Sequence, residues 1–378
     1  MKKNDENVIV VKSKDFALRI IKLYKYLTVS QKEFVLSKQV LRSGTSIGAN
    51  VKEGIRGQTK PDFYAKMKVG GAILRELQAR GYTNIITRTH SELDLLNQAD
   101  VNRFFETEKP EYVFLAAAHV GGIGANSTYP ADFIYQNMVI GFNVVEAARK
   151  NGVKKLMNLG STCIYPKMAE QPIKEESLLT GPLEPTNDAY ALAKISVIKL
   201  CTAYNKQFGT NFLSVMPTNL YGIGDNYELQ GSHVFPAMIR KFHEAKASGE
   251  DVVHLWGDGS PLREFLFAGD LADAVVYLME NKNAEDLRTP TGDFVNVGTG
   301  KELTIRGLAE TIREVVYADV AESGRTCRIE WDSSKPNGTP RKLCDVTRLN
   351  NLGWKAKVDV RRGIEISYDD FLHGNVRK

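Results

Sequence analysis

Apolar residues recur at helical spacing over much of the first 80 positions, and beyond them short, mostly apolar runs alternate with further stretches at helical spacing. In DFALRIIKLYKYLT, residues Phe16, Ile20, Tyr24 and Leu27 form one stripe with lysines opposite, which predicts an amphipathic helix over 15–28. Ser30 and Glu33 form a capping box that opens a second helix over about 31–42, followed by the small residues of SGTSIGAN. Thr59 before Pro61 marks the start of a third helix. Phe63, Met67, Gly70, Leu74 and Leu77 then keep the period, so one helix of about 20 residues is predicted, with Gly81 as its cap. Gly70 and Gly71 in its middle each cost about 1 kcal/mol relative to alanine.

After Gly81 strands and helices alternate. TNIITR, YVFLAAA, KKLMNLGS and NFLSVMPT read as strands; NQADVNRFFETEKP, PADFIYQNMVIGFNVVEAARKNG and YALAKISVIKLCTAYNKQFG read as helices. That rhythm predicts an α/β fold with a Rossmann-like, doubly wound parallel sheet. Beyond about Tyr221 the elements shorten, as in a smaller domain that covers a substrate. The expected organisation is a helical segment over 1–68, a dinucleotide-binding domain over 69–220, and a mainly substrate-binding domain over 221–378.

Charge sharpens the first boundary. Residues 1–66 carry 14 Lys/Arg against 6 Asp/Glu, a net +8, which leaves −3 of the chain's +5 for the remainder. The basic segment therefore reads as having a separate origin. No run approaches the roughly 18 apolar residues of a membrane span, and the apolar run in MKKNDENVIVV is too short for a secretory signal. Cys163, Cys201, Cys327 and Cys344 form no CxxC pair, which fits a reducing cytoplasm and neither a disulfide framework nor a zinc site.

Tyr190-Ala-Leu-Ala-Lys194 lies on a predicted helix, and a spacing of four puts phenol and ammonium on one face. The pair reads either as a surface contact or as a proton donor to a carbonyl, the ammonium lowering the phenol's pKa. Ser161, at the end of a predicted strand in GST, can hydrogen-bond the same oxygen. Arg88 ends and His90 follows the TNIITR strand, the second of a dinucleotide-binding fold, where an acidic residue would favour NAD; an arginine there suits a 2′-phosphate, hence NADP(H).

Six stretches extend this reading: LAAAHVGGIGANSTYPADFIYQN, LGSTCIYPK, EPTNDAYALAK, SVMPTNLYG, WGDGSPLREF and KPNGTPRKLCD. Together they resemble the GDP-L-fucose synthase family of extended short-chain dehydrogenases, in order from Val69 to the C-terminus. The resemblance implies 3,5-epimerisation and then NADPH-dependent 4-reduction of GDP-4-keto-6-deoxy-mannose by a homodimer. It implies Cys163 and His233 as the acid and base of epimerisation, beside Ser161, Tyr190 and Lys194. It further implies Gly70, Arg88, His90, Leu95 and Pro217, Thr218, Asn219 and Leu220 at the cofactor, and Lys241, Trp256 and Arg263 at the GDP-sugar. The chain departs from the family at His119, where lysine is usual, at Phe267-Ala268-Gly269-Asp270, and at Asn337.

A larger departure precedes these. The family opens with a strand and a Gly-x-x-Gly-x-x-Gly turn that brings the pyrophosphate to backbone N–H groups. The three positions fall here at Tyr64, Met67 and Gly70, and GQTKPDF stands in place of the strand, so the first strand and most of the turn are missing. In their place ENVIVVKSKDFALRIIKLYKYL, LSKQVLRSGTSIGANVKEGIRGQTK and DFYAKM resemble four-helix-bundle proteins encoded within ribosomal RNA intervening sequences, over 7–67. Val8 to Val11 offers a β-branched run that can fill the lost strand's slot. A second functional reading is a non-catalytic fusion whose basic helices, with Lys12, Lys14, Lys22 and Lys25, mediate self-association or RNA contact.

Overall fold

The segment that bridges the two resemblances is a single helix. α1 (Lys60–Ala79) runs unbroken for 20 residues. Gly81, at φ +86°, closes it: its N–H donates to Gln78 O and that of Tyr82 to Leu77 O, the paired bonds of a Schellman cap. The structure is a computed structural model that describes residues 22–23, 60–121, 123–229, 232–335, 337–374 and 376. Lys22 and Leu23 are helical; the rest of the predicted helices over 15–28 and 31–42, and Val8 to Val11, lie outside the described residues. The chain divides into two compact units, Met1–Phe63 and Tyr64–Lys378.

In the larger unit α2 (Gln98–Glu108), β1 (Tyr112–Leu115), α3 (Ile123–Thr128), α4 (Pro130–Lys150), β2 (Lys155–Leu159), α5 (Asp188–Phe208) and β3 (Phe212–Pro217) follow in the predicted order. Then come β4 (Asn219–Tyr221), α6 (Val234–Ser248), β5 (Val252–Trp256), β6 (Leu262–Arg263), β7 (Phe265–Phe267) and α7 (Ala268–Asn281). β8 (Arg288–Thr289), β9 (Gly292–Val297), β10 (Leu303–Thr304), α8 (Ile305–Val316), β11 (Arg328–Asp332), β12 (Arg341–Lys342), α9 (Thr347–Asn351) and α10 (Val360–His373) complete it.

The main sheet has the order β1-β2-β3-β9-β8, parallel except for β8. Its central strands β2, β3 and β9 are buried on both faces, and alternate residues point to opposite helix layers. Met157, Leu159, Leu213 and Val215 pack with Ala72 and Ile73 of α1 and Leu271 and Val275 of α7. Leu156 and Phe212 pack with Val144 of α4 and Val197 of α5. β9 shows that the chain returns to this sheet after Tyr221, so residues beyond that point are not confined to the second lobe. That lobe is built on Tyr221, Phe235, Phe242, Leu255, Leu308 and Ile312.

β1 is the sheet's edge, with no strand on its other side among the described residues, and Tyr112 is exposed. TNIITR, predicted to be a strand, is not one: residues 82–89 have no regular structure, and Ile86 is exposed. A strand needs a hydrogen-bonding neighbour, and the first strand that would stand between Thr83–Arg88 and β1 is not found among the described residues. α4 and α5 meet at Gly141, where an added Cβ would lie 2.2 Å from Val197 Cγ2. Gly141→Ala is therefore expected to destabilise the fold by about 1–3 kcal/mol, read as a lower urea midpoint.

Candidate active site

β2 delivers the first group of residues. Gly160 N donates to Val215 O at 2.8 Å, and Ser161 then caps a short 3-10 turn, Thr162–Ile164, its Oγ accepting from Cys163 N at 3.4 Å. On α5, Tyr190 and Lys194 share a face, the ammonium 5.7 Å from the phenol ring centre. Lys194 is buried and donates to Leu159 O at 2.9 Å, which ties α5 to the end of β2. Phe133 packs edge-on to Tyr190 and to His119. Ser161, Cys163, Tyr190 and Lys194 thus converge at the C-terminal end of β2, where open α/β sheets hold their ligands.

Burial dominates the protonation of this cluster. It pushes the Cys163 thiol up, against Lys342, Ser161 and Lys194, which favour thiolate. It holds the Lys194 ammonium down at about 8, with Cys163 opposing. Burial, reinforced by Cys163, raises Tyr190 above its ordinary value. The expected lowering of the phenol by Lys194 is therefore corrected: the cost of a buried phenolate outweighs it, and Tyr190 is held as a proton donor.

Pro217 ends β3, and Thr218 N donates to Val297 O; Asn219 Nδ2 donates to Glu264 O at 2.9 Å. His233 caps the start of α6. Its residue surface reaches solvent, yet the protein packed round the ring lowers its pKa; Lys68 adds to this and Asp225 opposes it. Lys241 Nζ donates to His254 O on β5, whose last residue, Trp256, is 68% exposed, with Lys335 Nζ 5.8 Å from its ring. Arg263, on β6, donates to Leu262 O and lies beside Gly338; burial lowers both Lys241 and Arg263.

The residues expected at the cofactor's phosphates are placed differently. Gly70 lies in mid-helix, and an added Cβ there would meet nothing within 4 Å. A phosphate turn at this position needs free N–H groups at a helix start, but inside α1 those groups serve the helix's own carbonyls. Arg88 pairs with Glu108 at 2.5 Å and stands over Phe104. His90 lies in an exposed turn 3.8 Å from Asp94, and Leu95 is partly buried, its carbonyl accepting from Asn143. The donor set thus suits the reacting end of a nicotinamide cofactor, while its pyrophosphate has no cradle at α1.

Sequence reasoning missed three further groups. Lys342 acts on Cys163 across the chain. Asn187 Oδ1 and Ser232 Oγ are buried with no hydrogen-bond partner among the described residues, next in sequence to the Tyr190 helix and to His233. Their adjacency to those motifs was the available signal.

Residues 68–298 match the NAD dependent epimerase/dehydratase family, and residues 5–104 match the 23S rRNA-intervening sequence protein family, which runs past the expected end at Met67. The chain is 54% identical over 310 residues to putative GDP-L-fucose synthase 2 of Arabidopsis thaliana, covering 82% of this chain and 90% of that one. It is 51% identical over 311 residues to GDP-L-fucose synthase of Escherichia coli K12, covering 82% and 95%. Among solved structures, the GDP-mannoheptose C4 reductase of Campylobacter jejuni with NADP bound matches with a TM-score of 0.73 at 36% identity, over 81% of this chain and 95% of that one. A GDP-L-fucose synthetase of Naegleria fowleri matches at 0.72 and 27% identity, over 83% and 93%. No described helix is long and apolar enough to cross a membrane. Fold, site motifs and relatives agree: the chain belongs to the NAD dependent epimerase/dehydratase family and, within it, to the GDP-L-fucose synthases.

Proposed function

We propose that this chain is a GDP-4-keto-6-deoxy-mannose 3,5-epimerase and 4-reductase in which the proton-transfer machinery is intact and the grip on NADP(H) is weakened. The observation that carries this is the convergence of Cys163 with Ser161, Tyr190 and Lys194, set against the continuation of α1 through the phosphate turn. Relatives named as GDP-L-fucose synthases support the substrate class. The division into residues 1–68, 69–220 and 221–378 remains our proposal for its domains, and cytoplasm and a homodimer its setting.

Epimerisation beside a ketone removes a proton from one face of the carbon and returns one to the other. Cys163 and His233 form the proposed pair, the thiol protonated and the imidazole neutral at rest because burial disfavours both charged forms. Ser161 and Tyr190 hold the carbonyl oxygen, so that charge on it is met by two hydroxyl donors. Tyr190 protonates that oxygen when the ketone is reduced, and Lys194 stabilises the phenolate left behind. NADPH, when bound, supplies the hydride; Ser161, Tyr190, Lys194 and Pro217–Leu220 would hold its reacting end. Trp256, Lys241 and Arg263 would take the GDP moiety, an aromatic face and cations suiting a nucleotide diphosphate.

Cys163→Ala and His233→Asn are each expected to slow inversion by about 10²- to 10⁴-fold, followed as loss of solvent deuterium entry into the sugar or of its stereochemical change. Full rates in either variant would remove that residue from the pair.

A further inference from the structure

Lys68 belongs to no motif that the family reading uses, and yet it is among the most buried charged groups described, 6% exposed. Its Nζ donates to Leu220 O and to both carboxylate oxygens of Asp225, each at 3.0 Å, and Asp225 is 4% exposed. Asp225 Oδ1 also accepts from Asn226 N, and Asn226 Oδ1 from Glu228 N. Glu228 O then accepts from Ser232 N at 3.0 Å, which carries the chain of bonds to the residue before His233. At its other end the loop is fixed by Gly224 N, which donates to Asp370 Oδ2.

We propose that Lys68 is a positioning residue for the acid–base step: it pins, through Asp225, the loop that ends in His233 and presents that imidazole with a fixed positive charge. The inference rests on the reading of His233 given above. Lys68 stands on α1 at the point where the helix continues through the former phosphate turn, so the replacement that weakens the phosphate grip also supplies this cation. Among the described residues, the ionised groups that act on the imidazole are Lys68 of α1 and Asp225 of the loop; Asp370 of α10 in turn interacts with Asp225 and with Arg75 of α1. Lys68 disfavours the imidazolium and Asp225 favours it, so their removal has opposite signs.

The test is a histidine NMR titration of the full-length chain, the His233 signal being assigned by its loss in His233→Asn, alongside the pH profile of deuterium entry into GDP-4-keto-6-deoxy-mannose. Lys68→Met is expected to raise the His233 midpoint and move the corresponding limb of the exchange profile to higher pH. Asp225→Asn is expected to lower both, and Lys68→Arg to keep the parent values. Should Lys68→Met not fold, because it leaves Asp225 buried without its partner, Asp225→Asn decides by itself. Unchanged midpoints, or a midpoint that rises in Asp225→Asn, overturn the inference. Midpoints that shift as stated with no deuterium entering in any variant uphold the contact of Lys68 with the His233 loop but overturn the epimerase reading, and with it a role for Lys68 in the acid–base step.

Discussion

Tyr190→Phe is expected to slow ketone reduction by about 10²- to 10⁴-fold while deuterium exchange beside the ketone continues at a lower rate, with Ser161 left to hold the oxygen. The phenol is the group that burial keeps protonated, and Lys194, fixed on Leu159 O, stands 5.7 Å from its ring. Phenylalanine keeps the edge contact with Phe133 and removes only the hydroxyl, so a folded variant is expected. Because the Lys194 ammonium is held at about 8, single-turnover reduction in the parent chain should fall as pH rises through about 8, where the cation that stabilises phenolate is lost. In Tyr190→Phe that basic limb disappears. Single-turnover measurements at saturating NADPH separate this chemical effect from cofactor affinity; an undiminished rate would remove Tyr190 from the reaction.

The second large effect concerns affinity. NADPH is expected to bind the full-length chain about 10²- to 10⁴-fold more weakly than it binds a family member that carries the glycine turn. The turn offers the pyrophosphate backbone N–H groups at a helix start, whereas α1 has already committed those groups at residue 70. Losing two hydrogen bonds to a charged group, at about 1.5–3 kcal/mol each, corresponds to that range. Arg88, paired with Glu108, adds less to a 2′-phosphate than a free arginine would. Fluorescence titration checks this, and equal affinities would mean that other residues cradle the phosphates.

Much of this was legible from local pattern. β2 and β3 are buried on both faces, so they appear in the sequence as short, mostly apolar runs, and α1 was readable across the junction because its period and its glycine cap are both local. What failed was non-local. TNIITR has the composition of a strand but finds no neighbouring strand among the described residues. The direction of the Tyr190 shift depends on burial, which a YxxxK spacing does not encode. Lys68 and Asp225 are 157 residues apart, and the periodicity of either segment gives no sign that they meet. The return of β9 to the sheet was hidden for a like reason: its hydrogen bonds with β3 join segments about 80 residues apart.

Proton transfer at this site is proposed not to depend on the cofactor grip, itself proposed to be weakened at α1. The most direct measurement is mass spectrometry of GDP-4-keto-6-deoxy-mannose incubated in deuterium oxide with the full-length chain and no NADPH. Two solvent deuterons are expected to enter the sugar, and Cys163→Ala or His233→Asn to suppress their entry. A sugar that leaves unlabelled would contradict that independence.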